Sequence, residues 1–341
     1  MSVDIPNYRV LEELGQGAQT HIYRARCMRT GKDYAVKIVK VVTPEHMGFV
    51  ELLRSELAIG TAIDHPVVRK IHELRILRQR LRIRGAILFM EYVPGCSMAD
   101  REFKYTLDSL LVLFREVAEG LHAMHHAGYV HADLKPNNIM VMPDGHVKLI
   151  DLGQSSKIHE AKTRVQGTID YMAPEQAQRG ILDQRTDVFG LGAAIYRVLT
   201  GRSVQTEMNQ TVSIHSQSLA GKRVEDIRKP SGTNELPLAI GRLIDDCCRS
   251  SPTERLRDMN AVIERIDLVR TSLARQQQAA APVESEATTV SKTPAVAVPT
   301  KTLDEAMIGD LELNEEDNLS DDDWSFLSEL EEPRKGGQPN S

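Results

Sequence analysis

The stretch His131-Ala132-Asp133-Leu134-Lys135-Pro136-Asn137-Asn138 has residue types and spacing suited to one chemistry. An Asp can orient a hydroxyl by accepting its proton. A Lys two places later can offset charge on a moving phosphoryl group, and an Asn three beyond that can hold a metal ion. These are the needs of phosphoryl transfer, in which positioning and electrostatics carry the acceleration. Asp151, in Asp151-Leu152-Gly153, follows the strand-like His146–Ile150 and offers a hard carboxylate oxygen of the kind Mg²⁺ prefers. Alone, Asp-Leu-Gly would read as a plain turn.

Such groups need elements that hold a phosphate donor against them. Val10–Ala25 reads as strand, turn and strand, with Gly15-Gln16-Gly17-Ala18-Gln19-Thr20 at the turn. Two glycines let backbone N–H groups approach phosphates closely, although an ordinary hairpin would look the same. No helix pattern follows, which excludes a dinucleotide-binding βα turn. Tyr34-Ala35-Val36-Lys37-Ile38-Val39 is an apolar strand with one Lys, which could simply mark an exposed face. A helical stretch ending near Asp64-His65-Pro66 carries Glu51 and Glu56, with Leu53 and Leu57 flanking Glu56 on one face. Ala86–Val93 reads as a buried strand after an Arg-rich strand pair that contains Arg75, Arg78, Arg80, Arg82 and Arg84.

Taken in order, these motifs resemble the Ser/Thr protein kinases of the eukaryotic-like (Hanks-type) family. Gly167–Glu175 resembles the end of that family's activation segment, and Asp187–Gly192 its anchoring helix. Arg255 matches the Arg that pairs with Glu175. The resemblance covers residues 8–270. It implies an α+β, two-lobed fold, with a small β-rich lobe over about 8–90 and a larger helical lobe over about 95–270. It implies ATP as cofactor with Mg²⁺, Mn²⁺ being an alternative, and protein substrates. Asp133 and Lys135 become the catalytic residues, and Asn138 and Asp151 the metal ligands. Gly15, Gln16, Gly17, Ile22, Ala35, Lys37, Glu56, Met90, Glu91, Val93 and Met140 become the nucleotide site. Lys37 would grip the phosphates, held by Glu56, whose spacing to Pro66 fits the family better than that of Glu51. Met90 would sit behind the adenine, and the backbone of Glu91 and Val93 would bond its edge. Arg185-Thr186-Asp187 and the short stretch from Asp151 to Glu175 resemble bacterial members.

The chain departs from the family at several positions. Thr20 replaces the third glycine of the phosphate loop. Ala132 stands where the family has an Arg that pairs with a phosphorylated activation segment, which argues against switching by phosphorylation at Ser155, Ser156 or Thr163. Leu152 replaces Phe, and Gly60 stands where a helix side chain packs toward it, so a looser coupling of the Glu56 helix to the metal site is expected. Asn137 and Ser97 replace acids that would read Arg-rich targets. A nucleotide-sensing pseudokinase would have lost one of Lys37, Asp133, Asn138 or Asp151, and none is lost. Small-molecule phosphotransferases of similar fold generally lack an Ala-Pro-Glu segment, which is intact at Ala173-Pro174-Glu175.

Composition sets the remaining bounds. Of the 341 residues, 41% are hydrophobic, enough for a core, and 4% are aromatic, too few for a base-stacking surface, so no nucleic-acid partner is expected. Cys27, Cys96, Cys247 and Cys248 lack metal spacing and read as thiols in a reducing compartment. With no signal segment and no apolar run of about 18 residues, no membrane span and a cytoplasmic location are expected. From residue 276 onward, 4 basic residues face 15 acidic ones, net −11, which leaves 38 basic and 33 acidic residues, net +5, in the rest. Residues 276–341 therefore read as a disordered acidic tail behind a linker over 276–300. The tail is either inert or a docking segment, within the chain or for a partner, with Trp324, Leu327 and Leu330 spaced for one helical face.

Overall fold

The computed structural model describes residues 5–17, 19–100, 104–160, 167–204 and 236–280. Thr163, Ala18 and the expected tail segment around Trp324 lie outside the described residues. The first part is a five-stranded antiparallel sheet of β1 (Tyr8–Gln16), β2 (Thr20–Cys27), β3 (Asp33–Lys40), β4 (Ile71–Gln79) and β5 (Arg82–Glu91), in the order β1-β2-β3-β5-β4. The period-2 alternation of a strand explains its two apolar faces. Val36, Ile38, Ile87 and Phe89 join Tyr23, Ala25 and Leu77 in one cluster. Ala35, Val39, Ala86, Leu88 and Met90 point the other way and pack with Val50, Leu53 and Ile59 of helix α1 (Met47–Ala62). Lys37 lies between Ala35 and Val39 in the β3 register, so it shares the α1 face.

The second part is mainly helical. Helix α2 (Leu107–His126) starts at a capping box: Thr106 Oγ1 accepts from Ser109 N and Ser109 Oγ from Thr106 N. Its stripe of Leu110, Leu111, Phe114, Val117, Leu121 and Met124 is fully buried. Short strands flank this helix in the chain: β6 (Cys96–Ser97), β8 (Ile139–Val141) and β9 (Val147–Leu149) form one sheet, and β7 (Tyr129–Val130) pairs with β10 (Ser156–Lys157). Then come α3 (Pro174–Ala177), α4 (Gln184–Thr200), α5 (Leu238–Cys247) and α6 (Met259–Ala280). A Cβ on Gly192 of α4 would stand 2.5 Å from Cys247 Cβ and 2.7 Å from Cys248 Sγ. The two cysteines are thus packing residues, and burial pushes the Cys248 thiol up to about 12.

Helix α6 continues beyond residue 270, the expected end of the domain, and beyond 276, the expected start of the tail, as far as Ala280. The Gln-Gln-Gln-Ala-Ala run that resembles a linker consists of good helix formers. Among the described residues, no helix is long and apolar enough to cross a membrane.

Candidate active site

The loop between β7 and a 3₁₀ turn at Pro136–Asn138 brings the expected catalytic side chains together. Asp133 is 7% exposed, and four donors surround its carboxylate. Thr168 donates to Oδ1 from its backbone N (2.8 Å) and its hydroxyl (3.0 Å). Lys135 Nζ donates to Oδ2 at 2.8 Å, and Asn138 Nδ2 approaches it at 3.3 Å. Lys135 Nζ also reaches Thr168 Oγ1 at 2.8 Å. The loop is fixed from below by Asp187 of α4, which accepts from His131 N, Ala132 N and His125 Nε2, each at 2.8 Å. Burial alone would raise the Asp187 carboxyl. The His125 bond, the nearby imidazoles and the Ala132 N–H outweigh it and hold the carboxyl below its ordinary range.

The second cluster joins three elements. Lys37 Nζ of β3 lies 2.9 Å from Glu56 Oε2 of α1 and 3.3 Å from Asp151 Oδ1. Burial by itself would lower Lys37, but Glu56 and Asp151 overcome it and hold the amine at about 12. Burial pushes Glu56 up against the pull of Lys37. Asp151 is held low by Lys37 despite its own burial, and its backbone is left-handed at φ 66°. Lys37 and Glu56 form a charged pair, because a paired buried charge costs far less than an isolated one.

Asn138 and Asp151 suit a hard cation. Ile150 N donates to Asn138 O at 2.9 Å, which places the two residues side by side. Asn138 Nδ2 also donates to Asp133 O at 2.8 Å, which leaves Oδ1 as the side chain's acceptor. Two protein ligands suit Mg²⁺, which takes the rest of its shell from substrate phosphates and water.

The nucleotide-site candidates occupy neighbouring register positions. Ile22 pairs with Lys37 and Ala35 with Met90, while Met140 pairs with Ser97. The glycine turn closes through Gly17 N donating to Thr20 O at 2.7 Å. Val93 is buried. Glu91 is tied down at every polar group. Its N–H donates to Lys70 O, its carboxylate accepts from Lys148 Nζ (2.7 Å) and Lys70 N, and its carbonyl accepts from Arg69 Nε at 2.9 Å. Sequence reasoning missed Arg69. A lone Arg in the apolar run between Pro66 and Ile71 is the signal that could have found it.

The departures also have structural counterparts. Ala132, at φ 60°, packs with Val130, Leu182 and Ile158, so an apolar cluster fills the side where the family's Arg would stand. Ser155 is buried, with its hydroxyl on His131 O at 3.2 Å, which removes it as a modification site. Gly60 meets Ile71 of β4 directly, so a β4 side chain occupies the space that a side chain at this helix position would take. Glu175 and Arg255 form the expected bidentate pair at 2.7 and 2.8 Å, with the guanidinium 5.0 Å above the Phe189 ring.

The chain is 29% identical over 273 residues to serine/threonine-protein kinase PknB of Mycobacterium tuberculosis, covering 77% of this chain and 42% of the relative. It is 27% identical over 270 residues to PknA of the same organism, covering 77% and 61%. It is also 27% identical over 277 residues to a protein of Clostridium acetobutylicum named "Probable serine/threonine-protein kinase", covering 77% and 40%. The chain thus spans about two fifths to three fifths of the length of these relatives. Residues 8–265 match the protein kinase domain. That match covers well over half of the chain, and the chain belongs to the protein kinase domain family.

Proposed function

We propose that this chain transfers the γ-phosphoryl group of ATP to Ser or Thr hydroxyls of protein substrates. The observation that carries the reading is the carboxylate of Asp133, held between Lys135 and Thr168. Asp133 orients the attacking hydroxyl and accepts its proton. Lys135 offsets negative charge as the phosphoryl moves. Lys37, braced by Glu56, positions the donor's phosphates, and Glu91 and Val93 seat its base. Asn138 and Asp151 would hold Mg²⁺ or Mn²⁺, which supplies neutralisation of phosphate charge. The named relatives support Ser/Thr over Tyr, as does the Lys135–Thr168 contact. The four free cysteines suit a cytoplasmic location.

The test is label transfer from γ-labelled ATP to a mixed protein substrate, followed by phosphoamino-acid analysis. Label should enter phosphoserine and phosphothreonine. Asp133→Asn should lower turnover by about 10²–10⁴-fold, the usual contribution of a positioned base, and leave ADP affinity within about threefold. Unchanged turnover would remove Asp133 from its role.

We further propose that the acidic tail docks on the β4–β5 hairpin. Arg75 and Arg84 are engaged, by Glu73 and Gln79 respectively. The surface therefore narrows to Arg78, Arg80 and Arg82, which are exposed and meet no carboxylate among the described residues. Leu81 between them is 94% exposed. Net −11 in the tail against net +5 in the rest supports the pairing.

A further inference from the structure

Arg69 is a buried cation placed where the base of a nucleotide is expected. Its backbone N–H donates to Leu149 O at 3.0 Å, and its neighbour Val68 bridges to Leu149. The chain ahead of β4 is thereby stitched to the strand that leads to Asp151. From that anchor the side chain runs to the hinge and is 7% exposed. Nε donates to Glu91 O at 2.9 Å, and Nη1 lies 3.9 Å from Met90 Sδ. A guanidinium carries five N–H donors. Nη2 meets no acceptor among the described residues. The group also lies in the field of Glu56, Asp151 and Glu91, which counters part of its burial.

The Glu91 carbonyl is the acceptor that a 6-amino purine needs. One of its two lone pairs already holds Arg69. A second donor must share the oxygen with a charged neighbour whose own N–H groups repel an amino group. A 6-oxo purine presents an acceptor there instead, and the spare guanidinium donors can meet it.

We propose that Arg69 is a base-selectivity residue, which weakens the preference of the site for a 6-amino over a 6-oxo or unsubstituted purine. The proposal rests on the reading of ATP as phosphoryl donor. It gives this chain a broader range of purine nucleotide donors than the hinge backbone alone would allow.

The test is calorimetric binding of three diphosphates to the full chain with Mg²⁺: ADP, IDP and the purine ribonucleoside diphosphate with hydrogen at position 6. One neutral hydrogen bond is worth about fivefold to tenfold in affinity. In the wild type, the hydrogen analogue should bind within about threefold of ADP. In Arg69→Val the preference for ADP over both analogues should widen by about tenfold, while Arg69→Lys, which keeps charge but not the fork, should fall between. An ADP preference above about tenfold over the hydrogen analogue in the wild type overturns the proposal, as do unchanged ratios in Arg69→Val. If Arg69→Val does not fold, the wild-type series decides alone. Failure of all three ligands to bind the wild type overturns the ATP reading itself, and this proposal with it. Binding of ADP with the wrong ratios overturns the role of Arg69 only.

Discussion

Gly60 of α1 and Ile71 of β4 are in such close apposition that a Cβ on Gly60 would stand 2.5, 2.6 and 2.9 Å from Cγ1, Cδ1 and Cβ of Ile71. The helix that carries Glu56 therefore rests on β4 with no room for a side chain. Overpacking of this kind costs about 1–3 kcal/mol. Gly60→Ala should lower stability by that amount and push α1 outward, which lengthens the 2.9 Å Lys37–Glu56 contact. Turnover should fall more than tenfold. Thermal unfolding and initial rates test this, and Ile71→Ala in the same chain should restore part of both, because neighbours couple. Unchanged rate and stability in Gly60→Ala would mean that α1 and β4 yield freely.

Phosphorylation of the activation segment should be dispensable for basal activity. A phosphate needs a bidentate cation, and the position beside Asp133 holds Ala132 among Val130, Ile158 and Leu182. Ser155 is buried, which leaves Ser156 and Thr163 as candidates. Ser156→Ala with Thr163→Ala should keep initial rates within about tenfold, or 1.4 kcal/mol. A larger loss would reveal another cation that serves the phosphate.

The residues proposed to do chemistry were legible because each proposed role admits few residue types at fixed spacing. Asp133 contacts Lys135 and Asn138, and Lys37 contacts Glu56 and Asp151. What stayed hidden depends on contacts across elements. Arg69 looks like a stray charge until β4 and β5 bring it to Glu91 O. Gly60 reads as a lost contact because the sequence cannot reveal that Ile71 fills the space. The end of α6 was hidden because Gln and Ala serve linkers and helices equally well.

Acid should loosen the loop that carries Asp133 through Asp187. Its folded pKa lies below the unfolded carboxylate value of about 3.9. The stability it contributes is present above that pH and is lost as pH falls through the folded value. Asp187→Asn should be less stable than the wild type at pH 7, since an amide cannot accept from His131 N, Ala132 N and His125 at once. Its stability should also fall less steeply below about pH 4. Denaturant unfolding across pH 3–7 tests this, and parallel profiles for the two proteins would assign the acid sensitivity to other groups.

Truncation of the tail should alter activity in a salt-dependent way. The cut belongs after Ala280, so that removing 281–341 keeps all of helix α6 and takes away the whole net charge of −11. Were 281–300 the linker expected from its composition, it would span about 25 Å on average and hold the acidic stretch at high effective concentration near its own domain. Exposed charges attract across about 8–10 Å at ordinary ionic strength and much less in high salt. If the tail docks on Arg78, Arg80 and Arg82, the full chain and the truncated chain should differ in initial rate at low salt and converge at high salt. Arg78→Ala with Arg80→Ala and Arg82→Ala should reproduce the truncation at low salt without further effect in the truncated chain. Identical rates for full and truncated chains at both salt levels would leave the tail as a site for outside partners.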